Sequence, residues 1–234
     1  MKLSIIIPVY NEVRTLMELL KKIDNVKLGE INKEIILVDD FSIDGSRKLI
    51  KKLEKKYVAI FQPRNMGKGA AIKSGIKYAT GDFIIFQDAD LEYEPNDYQR
   101  LLKPILDNES EIVIGTRFIG EKSALTGKNK TPKYSLHYIG NIGLTFIFNV
   151  LYFQKLSDVE PCYKLFKSNV LKSMNVISDG FEYDIELMCR LVKKGHKIIQ
   201  VPISYIPRNF SEGKKINWKD GITALSIMLK YRFV

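Results

Sequence analysis

Short apolar runs that lack polar alternation recur through the first half of the chain, and each gives way to a helical segment. Lys2 to Pro8 is a β-rich run, and from Asn11 onward Leu16, Leu19, Leu20 and Ile23 repeat at helical spacing. Glu34-Ile-Ile-Leu-Val38 is a continuous apolar strand ending at Asp39-Asp40, and a basic helix follows from Gly45 to about Lys56. Val58 to Phe61 gives a third strand. The Asn65-Met-Gly-Lys-Gly69 turn then leads into a helix expected to face inward with Ala71, Ile72, Gly75, Ile76 and Ala79 and outward with Lys68, Lys73 and Lys77. Asp82 to Gln87 is the fourth strand. Strands buried on both faces need no polar alternation, so this pattern predicts an α/β chain: a mostly parallel central sheet with helices on both faces.

A helix near Asn96 to Leu106 and a strand at Glu111 to Gly115 continue the series. Arg117 to Tyr134 breaks it, being rich in Gly, Lys, Ser and Thr without an apolar period, and reads as a surface loop. A strand at Tyr163 to Phe166, a helix from Tyr183 to Lys194 closed by Gly195, and a strand at Lys197 to Ser204 follow. Trp218, Ile222, Leu225 and Leu229 form the apolar stripe of a last helix. No repeat or linker divides the 234 residues, so one domain is expected.

Lys and Arg outnumber Asp and Glu by 37 to 27, a balance that favours anionic partners without choosing among them. The basic residues are dispersed over several helices with no aromatic-rich recognition motif, so no nucleic-acid partner is expected. Cys162 and Cys189 have no C-x-x-C spacing and no nearby histidines, which argues against a zinc site, suits a reducing cytosol and leaves a single disulfide open. The run from Met1 to Pro8 is too short for a signal peptide, so the amino terminus is expected to be folded. Leu136 to Phe153 is apolar on every helical face but interrupted by Asn141, Gly143 and Asn149; a buried helix, a membrane-surface element and a spanning helix all stay open.

In open α/β sheets the ligand crevice lies beyond the carboxyl ends of the strands. Here strand ends deliver Pro8-Val-Tyr10-Asn-Glu12, Asp39-Asp40 and Asp88-Ala-Asp90 to that edge. Two carboxylates separated by one residue supply hard oxygen ligands for Mg2+ or Mn2+, which would hold a diphosphate; alone, the same spacing also reads as turn formers. Gly67-Lys68 is no Walker A loop, because Gln62 stands where its first glycine belongs and neither Ser nor Thr follows the lysine. His137 and His196 are spaced for neither a metal site nor a triad.

Taken together, Ile5-Ile-Ile-Pro-Val-Tyr-Asn-Glu12, Val38-Asp-Asp-Phe-Ser-Ile-Asp-Gly45, Asn65-Met-Gly-Lys-Gly69, Gly81-Asp82 and Asp88-Ala-Asp-Leu-Glu92 resemble the family-two glycosyltransferases of the GT-A fold. Gly115-Thr-Arg-Phe118, Asp158-Val-Glu-Pro-Cys-Tyr-Lys164, Gly180-Phe-Glu182, Val201-Pro-Ile203 and Arg208-Asn-Phe-Ser-Glu-Gly-Lys214 are most similar to the polyprenyl-phosphate glycosyltransferases of the dolichyl-phosphate mannosyltransferase type. The resemblance implies a nucleotide-sugar half over 1–117 and an acceptor and membrane-proximal half over 118–234. Pro8, Tyr10 and Glu12 would line the nucleotide pocket, with Asp39 and Asp40 on base or ribose. Asp88 and Asp90 would engage metal and diphosphate, with Ala89 allowing close backbone approach. Arg117, Arg208 and Lys214 would neutralise donor or acceptor phosphates, Asp90, Arg117 and Arg208 being the candidate catalytic set. Glu92 stands where dolichyl-phosphate mannosyltransferases commonly carry Gln, which leaves GDP-mannose and UDP-hexose donors both open.

The implied reaction is inverting hexosyl transfer to a polyprenyl phosphate, whose anionic oxygen needs little general-base help in a chain poor in histidine. Its partners are a nucleotide diphosphate sugar, the lipid phosphate, a membrane surface and a membrane-protein partner, at the cytoplasmic face of a membrane. Leu136 to Phe153 and the basic residues Lys214, Lys215, Lys219, Lys230 and Arg232 are the candidate contact, against the alternative that the last helix packs its stripe on the core. The Arg117 to Tyr134 loop is the candidate acceptor-gating lid. Transfer to a saccharide hydroxyl, which needs a carboxylate base, and a non-catalytic nucleotide-binding adaptor are the rival readings.

Overall fold

The structure, a computed structural model, describes residues 1–118, 135–208 and 218–233. Its first strand, β1 (Lys2–Val9), runs through the sheet interior with Ile5, Ile6 and Ile7 fully buried, each contributing about 1.5–3 kcal/mol by burial. β2 (Asn32–Asp39) and β4 (Phe83–Phe86) flank it, both parallel to it, and β3 (Val58–Phe61) adds to β2. The seven-stranded order is β3-β2-β1-β4-β6-β5-β7. β5 (Ile112–Thr116) and β7 (Ile198–Pro202) pair in parallel, while β6 (Lys164–Lys167) runs antiparallel between β4 and β5. The mostly parallel α/β architecture read from the apolar runs is present, with this one reversed strand.

The helices are α1 (Leu16–Asn25), α2 (Ser46–Leu53), α3 (Lys68–Tyr78), α4 (Tyr98–Leu106), α5 (Ser135–Tyr152), α6 (Ser168–Lys172), α7 (Tyr183–Lys193) and α8 (Trp218–Phe233). The periodic residues of α1, Leu16, Leu19, Leu20 and Ile23, are all buried. α6 was not anticipated, being one short turn directly after β6. Lys68 departs from its expected outward position: its side chain is 15% exposed and points to Asp88 and Asp184. Lys73 also turns back, onto Asp179 and the Ile177 carbonyl.

No helix among the described residues is long and apolar enough to cross a membrane. α5 is apolar on two sides. Phe148 and Tyr152 stack within the core, while Ile139, Ile142, Phe146, Val150 and the following Phe153 form an exposed stripe at helical spacing. α8 buries Ala224, Met228 and Tyr231, while Ile222 and Leu229 of the expected stripe are exposed and Leu225 is half-buried. The two helices meet where the Tyr152 hydroxyl donates to the Met228 carbonyl at 2.8 Å and the Arg232 guanidinium lies over the Phe153 ring.

Glu186, on the buried side of α7, ties this region together. Its carboxylate accepts from the Ile177 and Ser178 amides, the Ser178 and Tyr231 hydroxyls, and Arg190 Nε at 2.6 Å. Burial opposes ionisation, yet the Ser178 hydroxyl, the two amides and Arg190 hold the group at about 2, below its ordinary 4.5. The depressed value contributes stability above about pH 4.5 that is lost as pH falls toward 2, on the order of 2–3 kcal/mol. E186Q is therefore expected to lower unfolding free energy at pH 7, with the gap to wild type narrowing between pH 4.5 and 2; denaturant melts across that range check it.

Candidate active site

The chain leaves β1 toward β2 on one side and later returns to β4 on the other, so the sheet order reverses between β1 and β4. Such a reversal opens a crevice at the carboxyl ends of the two strands. Ile6 pairs with Phe86, and the Gln87 amide donates to the Ile6 carbonyl at 3.0 Å, which brings the turn after β1 beside the segment after β4. Gln87 is fully buried; its Oε1 accepts from the Tyr98 and Tyr163 hydroxyls, and its Nε2 donates to the Asp88 carbonyl. The strand end carrying the two aspartates is thus fixed by a satisfied polar hub.

The turn after β1 is stitched to the β2 end. Asn11 N donates to Ser42 Oγ, Glu12 N to Ser46 Oγ, and Asn11 Oδ1 accepts from Ile43 N. Asp39 accepts from Ser42 N and Arg47, whose guanidinium lies over the Phe41 and Phe61 rings. Asp40 accepts from Met66 N at 2.7 Å and Gly67 N at 2.8 Å. Burial raises its pKa, the two amides oppose, and the neighbouring Asp39 charge adds to the rise. Both aspartates therefore carry frame-holding bonds that the motif alone did not reveal. Pro8 and Tyr10 border the same edge, half-buried.

The glycines of Asn65-Met-Gly-Lys-Gly69 serve close packing. A Cβ on Gly69 would come within 2.6 Å of the Tyr183 Cβ, and one on Gly67, at φ +96°, within 2.5 Å of the Asp179 carbonyl oxygen. The Gly69 and Ala70 amides donate to the Gly180 and Asp179 carbonyls, so these two amides at the amino end of α3 are engaged by the protein. This docking turns Lys68 inward, with Nζ 2.8 Å from Asp88 Oδ1 and 3.7 Å from Asp184 Oδ2. Lys164, fully buried on β6, pairs with the other Asp184 oxygen at 2.7 Å. Burial alone would raise the Asp88 pKa, but the Lys68 ammonium holds it below the ordinary value.

Asp90 lies in the opposite kind of field. Burial first, then the Asp88 and Glu92 charges, raise it to about 7 against the pull of Arg208. Arg208 reaches Glu12 through both terminal nitrogens at 3.1 and 3.2 Å, Asp90 Oδ2 at 3.0 Å, and Glu92 Oε1 through its backbone amide at 2.9 Å. Tyr205 donates to the other Glu92 oxygen. Residues expected from distant motifs are therefore brought together: Glu12, Asp88, Ala89, Asp90 and Arg208. Ala89 is buried, with backbone between the two carboxylates. Lys214 and the lid residues 119–134 lie outside the described residues.

Arg117 differs from the expectation of a cation open to phosphates. It is 7% exposed, paired to the fully buried Asp158 through Nε at 2.7 Å and Nη2 at 2.9 Å, and it lies against the Phe118 and Tyr205 rings. Two residues on, burial raises the Glu160 carboxyl to about 7, with Arg117 opposing. Sequence reasoning assigned no role to Lys68, Asp158, Glu160, Lys164 or Asp184. For Lys68 a signal existed, since it stands one helical turn before the buried Ile72 and shares its face.

An α/β sheet whose switch-point crevice is lined by Asp-x-Asp offers hard oxygen donors where folds of this class bind their ligands. Residues 4–174 match the family described as Glycosyl transferase family 2, and the chain belongs to that family. It is 30% identical over 218 residues to a dolichol-phosphate mannosyltransferase of Pyrococcus furiosus, covering 92% of this chain and 59% of that one, so it spans less than two thirds of that relative. An uncharacterized protein of Methanocaldococcus jannaschii is 28% identical over 234 residues, covering 98% of this chain and 90% of that one. Among solved structures, glucosyl-3-phosphoglycerate synthase from Mycobacterium tuberculosis, with Mn2+, UDP and glucosyl-3-phosphoglycerate, aligns at TM-score 0.74 and 16% identity, covering 100% and 80% of the two chains. The same enzyme with Mg2+ and UDP aligns at 0.73. The fold is GT-A, that of a family-two glycosyltransferase domain.

The Arg117–Asp158 pair gives a stability prediction. D158N leaves a buried guanidinium without its counter-charge and is expected to cost about 3–5 kcal/mol, whereas the R117M/D158L double variant recovers most of the loss. Chemical denaturation of the three proteins checks this.

Proposed function

We propose that this chain transfers a hexosyl group, with inversion, from GDP-mannose or a UDP-hexose to a polyprenyl phosphate such as dolichyl or undecaprenyl phosphate, as one catalytic unit. The observation that carries the reading is the convergence of Glu12, Asp90 and Glu92 with Arg208 at the β1/β4 switch point, beside Asp88 held by Lys68. The similarity to a dolichol-phosphate mannosyltransferase supports the lipid phosphate as acceptor. In the displacement, a phosphate oxygen bonds to the anomeric carbon as the bond from that carbon to the diphosphate breaks, and the nucleoside diphosphate leaves. The acceptor's second ionisation falls near about pH 6, so its oxygen is already anionic at neutrality.

The donor set fits a hard divalent cation. Among the described residues no three acidic, His or Cys side chains form a ready metal cluster, but Asp88 and Asp90 supply only carboxylate oxygens, as Mg2+ or Mn2+ prefers. Asp88 and Asp90 are the residues that would hold the ion, which would neutralise the departing diphosphate. Arg208 carries charge toward the same phosphates. Pro8, Tyr10 and Glu12 border the nucleotide, with Asp39 and Asp40 facing base or ribose, and Lys214 joins the phosphate-binding set. Arg117 acts from behind by keeping Asp158 and Tyr205 in place.

The exposed stripes of α5 and α8, with Lys230 and Arg232 beside them, fit the interface of an anionic bilayer, a peripheral attachment at a cytoplasmic face. A second reading, transfer to a hydroxyl, is favoured by Glu160, whose raised pKa suits a general base.

Two measurements test these assignments. Incubation with labelled nucleotide sugars and a short polyprenyl phosphate is expected to give a lipid-linked product, abolished by chelation and reduced at least about a hundredfold by D90A; label appearing only in saccharide or small hydroxyl acceptors refutes the lipid-phosphate assignment. F146E/V150E is expected to abolish co-sedimentation with anionic vesicles while leaving thermal stability unchanged, since both side chains are exposed.

A further inference from the structure

Arg208 meets the acidic cluster in an unusual way. Its terminal nitrogens occupy both oxygens of Glu12 and one of Asp90, and its Nε lies 3.7 Å from Glu92. The second Asp90 oxygen accepts from the Glu92 amide. Glu12 Oε2 also accepts from the Thr15 hydroxyl, and Glu92 Oε2 from Tyr205. A cation approaching Glu12 and Asp90 therefore finds oxygens already engaged by the guanidinium, while those of Glu92 are taken by the Arg208 amide and the Tyr205 hydroxyl. The backbone of residue 208 is tethered separately: its amide donates to Glu92 and the Ile206 amide to the Glu92 carbonyl. Arg208 follows the last strand outside any helix or strand, so its side chain can leave the carboxylates without dismantling β7.

We propose that Arg208, held by Glu12 and Asp90, is a resting counter-ion that competes with the divalent cation of the Asp88–Asp90 pair for Asp90, and that a nucleoside diphosphate releases it by offering phosphate oxygens to the same guanidinium. This rests on the metal-assisted reading above. The free protein then binds the cation poorly, and nucleotide and cation promote one another's binding. By linkage, the factor by which nucleotide tightens the metal equals the factor by which the metal tightens nucleotide. The guanidinium fork matches carboxylate and phosphate alike, which makes the exchange chemically balanced: one bidentate anion replaces another. A divalent ion entering without nucleotide must break these contacts with nothing to take the guanidinium in return.

The test is Mn2+ binding to the full chain, followed by electron paramagnetic resonance, with and without saturating GDP or UDP, in wild type, R208Q, R208K, D90N and K22Q. Lys22, which pairs with Glu94, controls for a general loss of positive charge near the site. R208Q is expected to bind Mn2+ alone at least about tenfold more tightly than wild type, with R208K intermediate, K22Q unchanged and the enhancement by nucleotide reduced in R208Q. R208K keeps the charge and guards against misfolding of R208Q. Equal Mn2+ affinity in R208Q, R208K and wild type, with nucleotide-dependent binding lost in D90N, overturns the counter-ion role and leaves the metal site standing. Equal tightening in K22Q overturns it as well. Absence of Mn2+ binding in every protein under every condition overturns both the metal reading and this proposal.

Discussion

The parallel pairing of β1 with β4 is the constraint on which the site depends. Glu12 and Asp90 are far apart in sequence, and only the ladder that sets Ile6 beside Phe86 and closes with the Gln87 amide brings their segments to one edge. That ladder is secured from below by burial of the β1 isoleucines and Phe86, and from the far side by the Tyr98 and Tyr163 hydroxyls on Gln87. The carboxylates can therefore be crowded, because the cost of their mutual repulsion is met by a frame that has no polar group to spare at its centre.

The crowding is resolved by distributing cations unequally. Lys68 pulls Asp88 below its ordinary pKa, while Asp90, exposed to the negative charge of Asp88 and Glu92, is lifted to about 7. Two carboxyl groups separated by one residue thus occupy different electrostatic environments, one internally compensated through Lys68, Asp184 and Lys164, the other compensated by Arg208 from a segment that follows the last strand. The first arrangement is built from helices and strands; the second hangs on one side chain.

Sequence made the sheet legible because Ile-Ile-Ile and Phe-Ile-Ile-Phe leave no polar face, and it made the acidic edge legible because the aspartates follow those runs directly. It could not reveal that β6 reverses, since a short buried strand reads alike in either direction. Lys68 was missed because lysine is normally a solvated residue, although its register with Ile72 placed it inward. The Arg117–Asp158 pair joins segments separated by a poorly patterned stretch, and no local periodicity points from one to the other. On α8, two apolar stripes compete, and hydropathy cannot tell that Ala224, Met228 and Tyr231 win the core while Ile222 and Leu229 face outward.

α7 carries Asp184 at its amino end and Glu186 and Arg190 along the next turn, so one helix holds both a member of the charge cluster and the clasp on Tyr231 of α8. A helix of this length behaves as a stiff strut rather than a hinge. A displacement of α8 is therefore carried through α7 to the Lys68–Asp88 end of the crevice rather than absorbed between them.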